Sequence, residues 1–420
     1  MTDQRENHDD TTPQPGSAEQ PWMTRGVGGI GSASFLADVG HEIPTALLAS
    51  LVTTTLGAPA SALGLIEGIS DGLAGAGRFL GGPLADDPHR RRRLAVGGYT
   101  ATAVLSSLIG TAGNVVTVGL LRGGAWAARG LRVPARNALL ADVVPATAYG
   151  RAYGFERTMD NLGAIAGPLL ALGLVAMFSV RTAILLSVIP GLLAAVAIIY
   201  AIRQVRLPAA REHRSIRIRI RPVLHGQLGR LMAAFAVFEV GNLAATLLIL
   251  RATDLLTPDH GINTATQIAL ALYTAYNIAA TAVSFPAGRL SDRLGTRGPV
   301  IVVAAGVATF LVSYVLFAVT GPVIVLLAVA FITAGIGIGC AETAEHAAVA
   351  ALAPEHLRGS AFGLLATVQA AGNVIASTVA GLLYTIASPA IAFTFVAACM
   401  ASALAGLAWA AKPLATNDLD

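Results

Sequence analysis

Charged residues are scarce in this sequence. Asp, Glu, Lys and Arg make up 12% of its 420 residues, whereas a soluble domain has about a quarter. This composition excludes a soluble globular protein. Only 2 cysteines are present, Cys340 and Cys399, both inside apolar runs, so neither a disulfide framework nor a zinc site is predicted. The nucleotide-binding pattern G-x-x-x-x-G-K-[ST] and the metalloprotease pattern H-E-x-x-H are also missing, so no cofactor is predicted and ATP does not drive the protein directly.

What the sequence has instead is a series of apolar runs of about 20 residues, the length that a helix needs to cross a bilayer. A membrane barrel would show alternating segments of about 10 residues. We therefore predict an all-α membrane protein with twelve transmembrane helices. The runs lie near 27–51, 61–83, 94–112, 115–139, 151–176, 181–202, 228–250, 264–287, 299–319, 321–349, 359–385 and 388–411.

Arginines collect in alternate loops, which is the positive-inside pattern and places both termini in the cytoplasm. The formal charge of +4 thus reflects orientation in a cytoplasmic membrane, and no nucleic-acid partner is predicted. The segment "RIRIRIR" at 215–221 is expected to rest on anionic lipid. The predicted organisation is a disordered tail (1–26), a six-helix bundle (27–202), an Arg-rich linker (203–227), a second bundle (228–411) and a short tail (412–420).

The two halves of the sequence repeat. "GGPLAD" at 81–86 matches "AGRLSD" at 287–292 with an offset of 206, and "PATAYGRAYGF" at 145–155 matches "PEHLRGSAFGL" at 354–364 with an offset of 209. The second register also places Gly163 on Gly372. "ADVG" at 37–40 lies over "FEVG" at 238–241. Duplicated membrane halves indicate a transporter whose substrate site lies between the repeats, near the bilayer midplane.

These motifs resemble those of the major facilitator superfamily. "GRLSDRLGTR" at 288–297 is similar to the family's loop signature G-x-L-x-D-R-x-G-x-R, and "NLGAIAGPLLA" at 161–171 resembles the fifth-helix motif of its drug and proton antiporters. The first loop, "GGPLADDPHRRRR", departs from the signature at Asp87. The resemblance implies a cytoplasmic gate that uses the residues of the intact copy together with Asp86: Gly288, Asp292, Arg293, Gly295 and Arg297. A carboxylate at Asp86 or Asp292 can cap a neighbouring helix N-terminus and hold that gate shut.

Asp38 and Glu239 occupy equivalent positions halfway along the first and seventh runs. Protonation costs less than keeping a charge in a dry interior, so both are candidates for proton coupling, with a permanently paired structural acid as the alternative. His41 and Glu42 lie one turn beyond Asp38 on neighbouring parts of one face. His41 is a candidate proton relay, or a hydrogen-bonding partner that holds Asp38 in place.

The second run carries an acidic stripe, Glu67 and Asp71, which maps onto Tyr273 and Asn277 of the eighth run. These four residues are predicted to line a shared cavity, although Glu67 and Asp71 could instead pair with Arg78. Gly64, Gly68 and Gly72 form a parallel stripe of small residues, and close helix packing is predicted there.

Further candidates lie on the fourth, fifth, tenth and eleventh runs. Arg122 stays charged when buried and needs a carboxylate partner, for which Asp38 is one candidate. Asp160, which maps onto Gln369, is predicted either to contact substrate or to form a salt bridge. Arg136 maps onto Glu345, so these two could pair across the halves as part of the gate.

The resulting hypothesis is a monomeric secondary transporter that moves a small organic solute by alternating access, most consistent with proton-coupled efflux. Efflux rests on the family resemblance. The alternatives are proton-coupled uptake of a nutrient, a transporter-shaped sensor, and a membrane enzyme acting on lipid. The enzyme is disfavoured because no nucleophile or metal motif is evident. The acids favour a cationic or zwitterionic solute.

Overall fold

The computed structural model describes residues 21–204 and 220–411, and every regular element in these two ranges is a helix. The predicted lipid-bound segment at 215–221, most of the predicted N-terminal tail and the tail at 412–420 lie largely or wholly outside the described residues. The predicted linker is described only at its two ends.

The N-terminal half contains seven helices, two of which share one predicted run. They are α1 (Arg25–Ala49, continued by a wider turn at Ser50–Thr55), α2 (Ala60–Ala85), α3 (Pro88–Leu108), α4 (Val115–Asp142), α5 (Tyr149–Met177), α6 (Val180–Leu186) and α7 (Val188–Arg203). Each predicted run coincides with a helix to within about six residues at either end, the largest difference being the start of α3, and the sixth run is interrupted at Ser187.

The C-terminal half contains eight helices. They are α8 (Ile220–Val223), α9 (Gly226–Gly241), α10 (Ala245–His260), α11 (Ile262–Arg293), α12 (Gly298–Val319), α13 (Ile324–Leu352), α14 (Arg358–Ile386) and α15 (Pro389–Ala410). The helical segment at the seventh predicted run, 228–250, continues to His260 and is broken between α9 and α10. Short 3₁₀ turns at Ile109–Thr111, Ala146–Ala148, Gly295–Arg297 and Glu355–Leu357 flank the longer helices.

Within the described residues, 10 helical segments are long and apolar enough to cross a membrane. Helices α2 and α4 are not among them, although they have 26 and 28 residues. Both carry several ionisable side chains, including Glu67, Asp71 and Arg78 on α2 and four arginines on α4. The prediction of an all-helical membrane protein is confirmed at this level.

Helices α2 and α4 run parallel and in close contact. A Cβ placed on Gly77 would lie 2.7 Å from the Ala127 carbonyl oxygen, and one on Gly130 would lie 2.3 Å from that of Ala74. Close packing was predicted for the stripe of Gly64, Gly68 and Gly72. A Cβ placed on any of these three glycines would instead meet no neighbouring atom within 4 Å. That prediction is wrong for this conformation, because the stripe faces open space and α2 approaches α4 through other glycines.

The same helix crossing occurs in both halves. Gly163 of α5 lies against α1, where its Cβ would be 2.8 Å from that of Asp38. Gly372 of α14 lies against α9, where its Cβ would be 2.3 Å from that of Glu239. The offsets in the sequence had matched both pairs, so the internal repeat extends to the packing of the candidate carboxyls.

The two halves touch mainly through α5 with α11 and α2 with α14. The closest approaches are at Gly150 with Gly288 and at Gly82 with Gly363. These contacts lie at the end of the molecule where α1 begins, since Trp22 packs on Phe155 of α5 and Phe285 of α11. Helix α7 ends there too, since Gly29 packs on Ala201. We call it the connector end, because the segment joining the halves leaves from it.

Candidate functional site

The centre of the N-terminal half is a polar cluster on α1. Asp38 and His41 are buried, at 4% and 1% exposure. His41 Nδ1 lies 2.9 Å from the carbonyl oxygen of Ala37 and 3.3 Å from Asp38 Oδ1. Because a carbonyl oxygen only accepts, Nδ1 carries the hydrogen. His41 Nε2 lies 3.3 Å from Glu42 Oε1 but makes no hydrogen bond among the described residues. The imidazole therefore sits between two carboxyls with one nitrogen free to take a proton.

Arginines of α4 and α5 surround this cluster. Arg129 Nη2 lies 3.8 Å from Asp38 Oδ1, and Arg136 Nη1 binds Asp160 at 3.2 Å and Glu156 at 2.7 Å. Arg157 also binds Asp160, at 3.1 Å. Asp160 in turn lies near enough to Asp38 for the charges of the two carboxyls to act on each other. The acids of this half are thus linked to arginines across three helices.

Arg122 pairs with Glu67 and not with Asp38. Its Nη2 lies 3.1 Å from Glu67 Oε1, its Nη1 donates to Thr45 Oγ1 at 2.9 Å, and its guanidinium stacks 3.3 Å from the centre of the Trp126 ring. The suggested Arg122–Asp38 pair is therefore wrong. The alternative pairing of Glu67 with Arg78 is also wrong, because the close parallel packing of α2 and α4 brings Arg122 to Glu67.

Asp71, on the next turn of α2, accepts a hydrogen bond from Trp126 Nε1 at 3.2 Å. Its predicted counterparts lie on α11, where Asn277 donates to the carbonyl oxygen of Tyr273 at 3.0 Å and Tyr273 stacks on Tyr276 at 5.5 Å. The predicted cavity wall shared by these residues stays a prediction.

The C-terminal half arranges its acids differently. Glu239 accepts from Asn242 at 3.0 Å, and Glu345 accepts from Gln369 at 3.0 Å. The hypothesised Arg136–Glu345 pair is absent, because Arg136 is held by Glu156 and Asp160 within its own half. The ion pair that does join the halves at this level is Arg157 of α5 with Glu342 of α13, at 3.4 Å.

At the connector end, one carboxylate from each half lies at a helix N-terminus of the other half. Asp292 accepts from the backbone N–H groups of Gly150 and Arg151 at 2.7 and 2.9 Å, and from Arg151 Nε at 2.8 Å. Asp86 accepts from the backbone N–H of Ser360 at 2.8 Å and from its hydroxyl. The two arrangements are pseudo-equivalent, because 86 and 292 match in one repeat register and 151 and 360 in the other. Burial raises the pKa of the Asp86 carboxyl above its ordinary value.

The remaining residues of the loop signature are more peripheral. Gly295 forms the turn after α11 with φ of +66°, a conformation that favours glycine. The side chains of Arg293 and Arg297 are exposed. Asp87, which departs from the signature, caps α3 by accepting from the N–H of His89 at 2.8 Å.

Sequence reasoning missed a second set of contacts at this end. Arg358 donates to the Tyr149 hydroxyl at 2.7 Å and lies 3.5 Å from Asp142, which also binds Arg91. Trp22 packs against Phe155 of α5 and Phe285 of α11, with ring centres 6.4 and 5.8 Å away. Tyr149 and Arg358 are aligned by the repeat offset of 209, and this alignment is the sequence feature that could have suggested their contact.

Comparison with known proteins gives consistent results. The profile of the Major Facilitator Superfamily matches residues 30–254 and 231–418. An uncharacterised MFS-type transporter of Methanocaldococcus jannaschii is 28% identical over 382 residues, covering 89% of this chain and 92% of that protein. An uncharacterised protein of Mycobacterium tuberculosis is 28% identical over 367 residues, covering 85% and 86%.

Solved structures share the fold at low identity. A bacterial homologue of the iron transporter ferroportin, in an outward-facing state, aligns with a TM-score of 0.72 and 14% identity over 92% of this chain and 99% of that one. The transporter FucP in its outward conformation gives 0.66 and 16%, over 92% and 99%. The human organic anion transporter MFSD10 gives 0.68 and 16%, over 92% and 100%.

Proposed function

Because this chain belongs to the major facilitator superfamily, a family of multi-pass membrane transporters and not of enzymes, we propose that it couples the movement of a small organic solute to protons by alternating access. The family supports transport of a small molecule across a bilayer. Proton coupling, efflux and the cytoplasmic membrane are our inferences from the residues below.

The observation that carries proton coupling is the position of His41 between Asp38 and Glu42. His41 Nδ1 is occupied by the Ala37 carbonyl and lies beside Asp38, so Nε2 is the atom that can take a further proton, and Glu42 is the carboxyl beside it. Asp160 and Arg129 extend this cluster to α5 and α4. A change in packing between these helices would alter the charge around Asp38, and such a change links protonation to conformation.

We infer twelve crossings in two six-helix halves, with the connector end in the cytoplasm. Helices α2 and α4 are assigned as crossings because several of their charges are paired inside the protein, above all Glu67 with Arg122. The arginine bias of the loops supports the orientation. The N-terminal half would then be 27–202 and the C-terminal half 228–411, joined by 203–227.

Asp86 and Asp292 would serve as the cytoplasmic gate. Each places a negative charge at the N-terminus of a helix in the opposite half, where the helix dipole favours it. With this end held together and Gly64, Gly68 and Gly72 facing open space, we assign this conformation as outward-facing. Two of the similar solved structures are named as outward-facing or outward.

Solute would enter the space between α2, α5, α11 and α14, near Asp71, Asp160, Tyr273, Asn277 and Gln369. Asp71, which forms no ion pair within the described residues and accepts from Trp126, favours a cationic or zwitterionic solute. The Gly167-Pro168 pair of α5, within the resemblance to drug and proton antiporters, supports export.

Purified protein in liposomes tests the proposal. A thermal-shift screen of metabolites and drugs identifies a solute, and a trapped pH dye then reports proton movement when that solute is added. We expect proton flux opposite to solute flux, and at least a tenfold loss of both in Asp38→Asn. Asp254→Asn, which removes an exposed carboxyl bonded to Tyr384, serves as the control. Solute flux without proton flux would contradict the coupling, and flux in the same direction would indicate uptake.

A further inference from the structure

The C-terminal half buries two carboxyls that no basic side chain binds within the described residues. Glu239 is 2% exposed and Glu345 is fully buried. Each is hydrogen-bonded to a neutral amide, Asn242 for Glu239 and Gln369 for Glu345. Glu156 of the N-terminal half is equally buried but lies 2.7 Å from Arg136. An ionised carboxylate without a countercharge is costly in such surroundings, whereas a protonated one is not.

One oxygen of Glu345 has no hydrogen-bond partner. Oε2 accepts from Gln369, but Oε1 is buried and unbonded in the part of the chain that the structure describes. A buried acceptor without a hydrogen-bond partner is unfavourable, and a charged one is more so. A proton on this carboxyl removes the charge, so only the smaller cost of burying a neutral polar group remains.

The backbone beside Glu239 is irregular. The carboxyl lies in the last turn of α9, and residues Asn242 to Ala244 separate α9 from α10. Side chains of other helices accept hydrogen bonds from the backbone N–H groups at this break. Leu243 N–H donates to the Tyr314 hydroxyl at 3.2 Å, and Ala244 N–H donates to Ser377 Oγ at 3.3 Å. Broken helices inside transporters often mark sites for coupling ions, because a small rearrangement there changes the access of water.

Both carboxyls lie against α14, near enough for the charge of one to act on the other. Gln369 and Gly372 are one turn apart, so the helix holds Glu345 through Gln369 and admits Glu239 against Gly372. The other ionisable groups facing the pair are Glu342 and Arg157, with Tyr314 near Glu239. Arg157 is already bound by Asp160 and Glu342, so it does not neutralise the pair.

We propose that Glu239 and Glu345 form a second proton-binding site, built entirely in the C-terminal half and separate from the Asp38 cluster. The site deepens the proposed proton-coupled transport and rests on it for its role in the cycle. In this conformation a proton from water is held on the pair by an oxygen–hydrogen bond. Rearrangement at the α9–α10 break would return the proton to water on the other side.

The test is infrared difference spectroscopy of the purified protein between neutral and alkaline buffer, where exposed carboxyls stay ionised and the C=O stretch of any protonated carboxyl is detected without solute. In the wild type we expect a band that is lost on alkalinisation. The band should be weaker in Glu345→Gln, and in Glu239→Gln its intensity or the pH at which it is lost should differ from the wild type. Asp254→Asn, which alters an exposed carboxyl of the same half, should leave the band unchanged. Glu345→Asp keeps the carboxyl and should retain a shifted band. A thermal melt of each variant confirms that it is folded.

The two proposals fail in different ways. An unchanged band in both Gln variants would overturn the second site, while proton-driven transport through Asp38 could persist. A band that responds as expected, with no proton flux in liposomes, would refute the proposed coupling and leave the site. Stabilisation by sodium that is lost in Glu345→Gln would also overturn the assignment, because the bound cation would then be sodium.

Discussion

At the scale of single residues, burial decides how each charge is treated. Arg122 is 1% exposed and makes three kinds of contact at once: an ion pair with Glu67, a hydrogen bond to Thr45 and stacking on Trp126. A guanidinium is suited to this combination, because its planar face stacks while its edge donates. Lysine offers a point charge and cannot do both.

We therefore expect Arg122→Lys to destabilise the protein by about 1.5–3 kcal/mol, the usual range for a lost hydrogen bond to a charged group. The change should appear as a lower melting temperature in detergent, followed by tryptophan fluorescence. Arg122→Gln combined with Glu67→Gln should recover part of the loss, because neither charge is then left alone. If the melting temperature of the double variant is no higher than that of Arg122→Gln, then Arg122 does not stabilise the protein through its ion pair with Glu67.

At the scale of helices, glycines fix the crossing points that hold the candidate acids in place. A Cβ on Gly372 would lie 2.3 Å from Glu239 Cβ and 2.7 Å from its carbonyl carbon, so backbone would have to move. We expect Gly372→Ala to cost about 1–3 kcal/mol, as overpacking does, and Gly163→Ala to behave alike at Asp38. Gly68→Ala, with nothing within 4 Å, is the matched control and should be neutral or stabilising.

The outcome to measure is the melting temperature of the three alanine variants in one detergent. A loss in Gly372→Ala and Gly163→Ala, with none in Gly68→Ala, would support close crossing at the acids. Equal effects at all three positions would contradict it.

The helices also show how far sequence alone could go. Run length and hydropathy located almost every helix, and a constant offset matched Asp38 with Glu239 and Gly163 with Gly372, because these properties depend on local composition and on duplication. Partners of charges could not be predicted in this way. Arg122 pairs with Glu67 and not with Asp38 because α2 and α4 pack closely. The helix break after Glu239 depends on hydrogen bonds to Tyr314 and Ser377, which are distant in the sequence.

At the scale of the whole molecule, two carboxylates tie the halves together at the connector end. Asp86→Ala with Asp292→Ala should shift the population away from this conformation, because both helix N-termini lose their anion. Spin labels at Gly113 and Gly321, in exposed loops of opposite halves, report the distance across the far end, which should shorten. Asp87→Ala is the neighbouring control: it removes a cap on α3 within one half and should leave the distance distribution unchanged.

The open stripe on α2 predicts a shift of opposite sign in the same measurement. Helices α2 and α14 run antiparallel, with Gly82 at Gly363 and Gly75 at Ala370, so continuing the register sets Gly68 opposite Ser377 and Gly64 opposite Gly381. Gly381 also has nothing within 4 Å, which leaves room for the two helices to close. A leucine at Gly68 would fill that room and hold the far end apart, so Gly68→Leu should lengthen the Gly113–Gly321 distance and slow transport. Gly97→Leu adds the same bulk at an equally open glycine of α3 and should change neither. A Gly68→Leu variant with unaltered distances and rate would show that α2 does not close on α14.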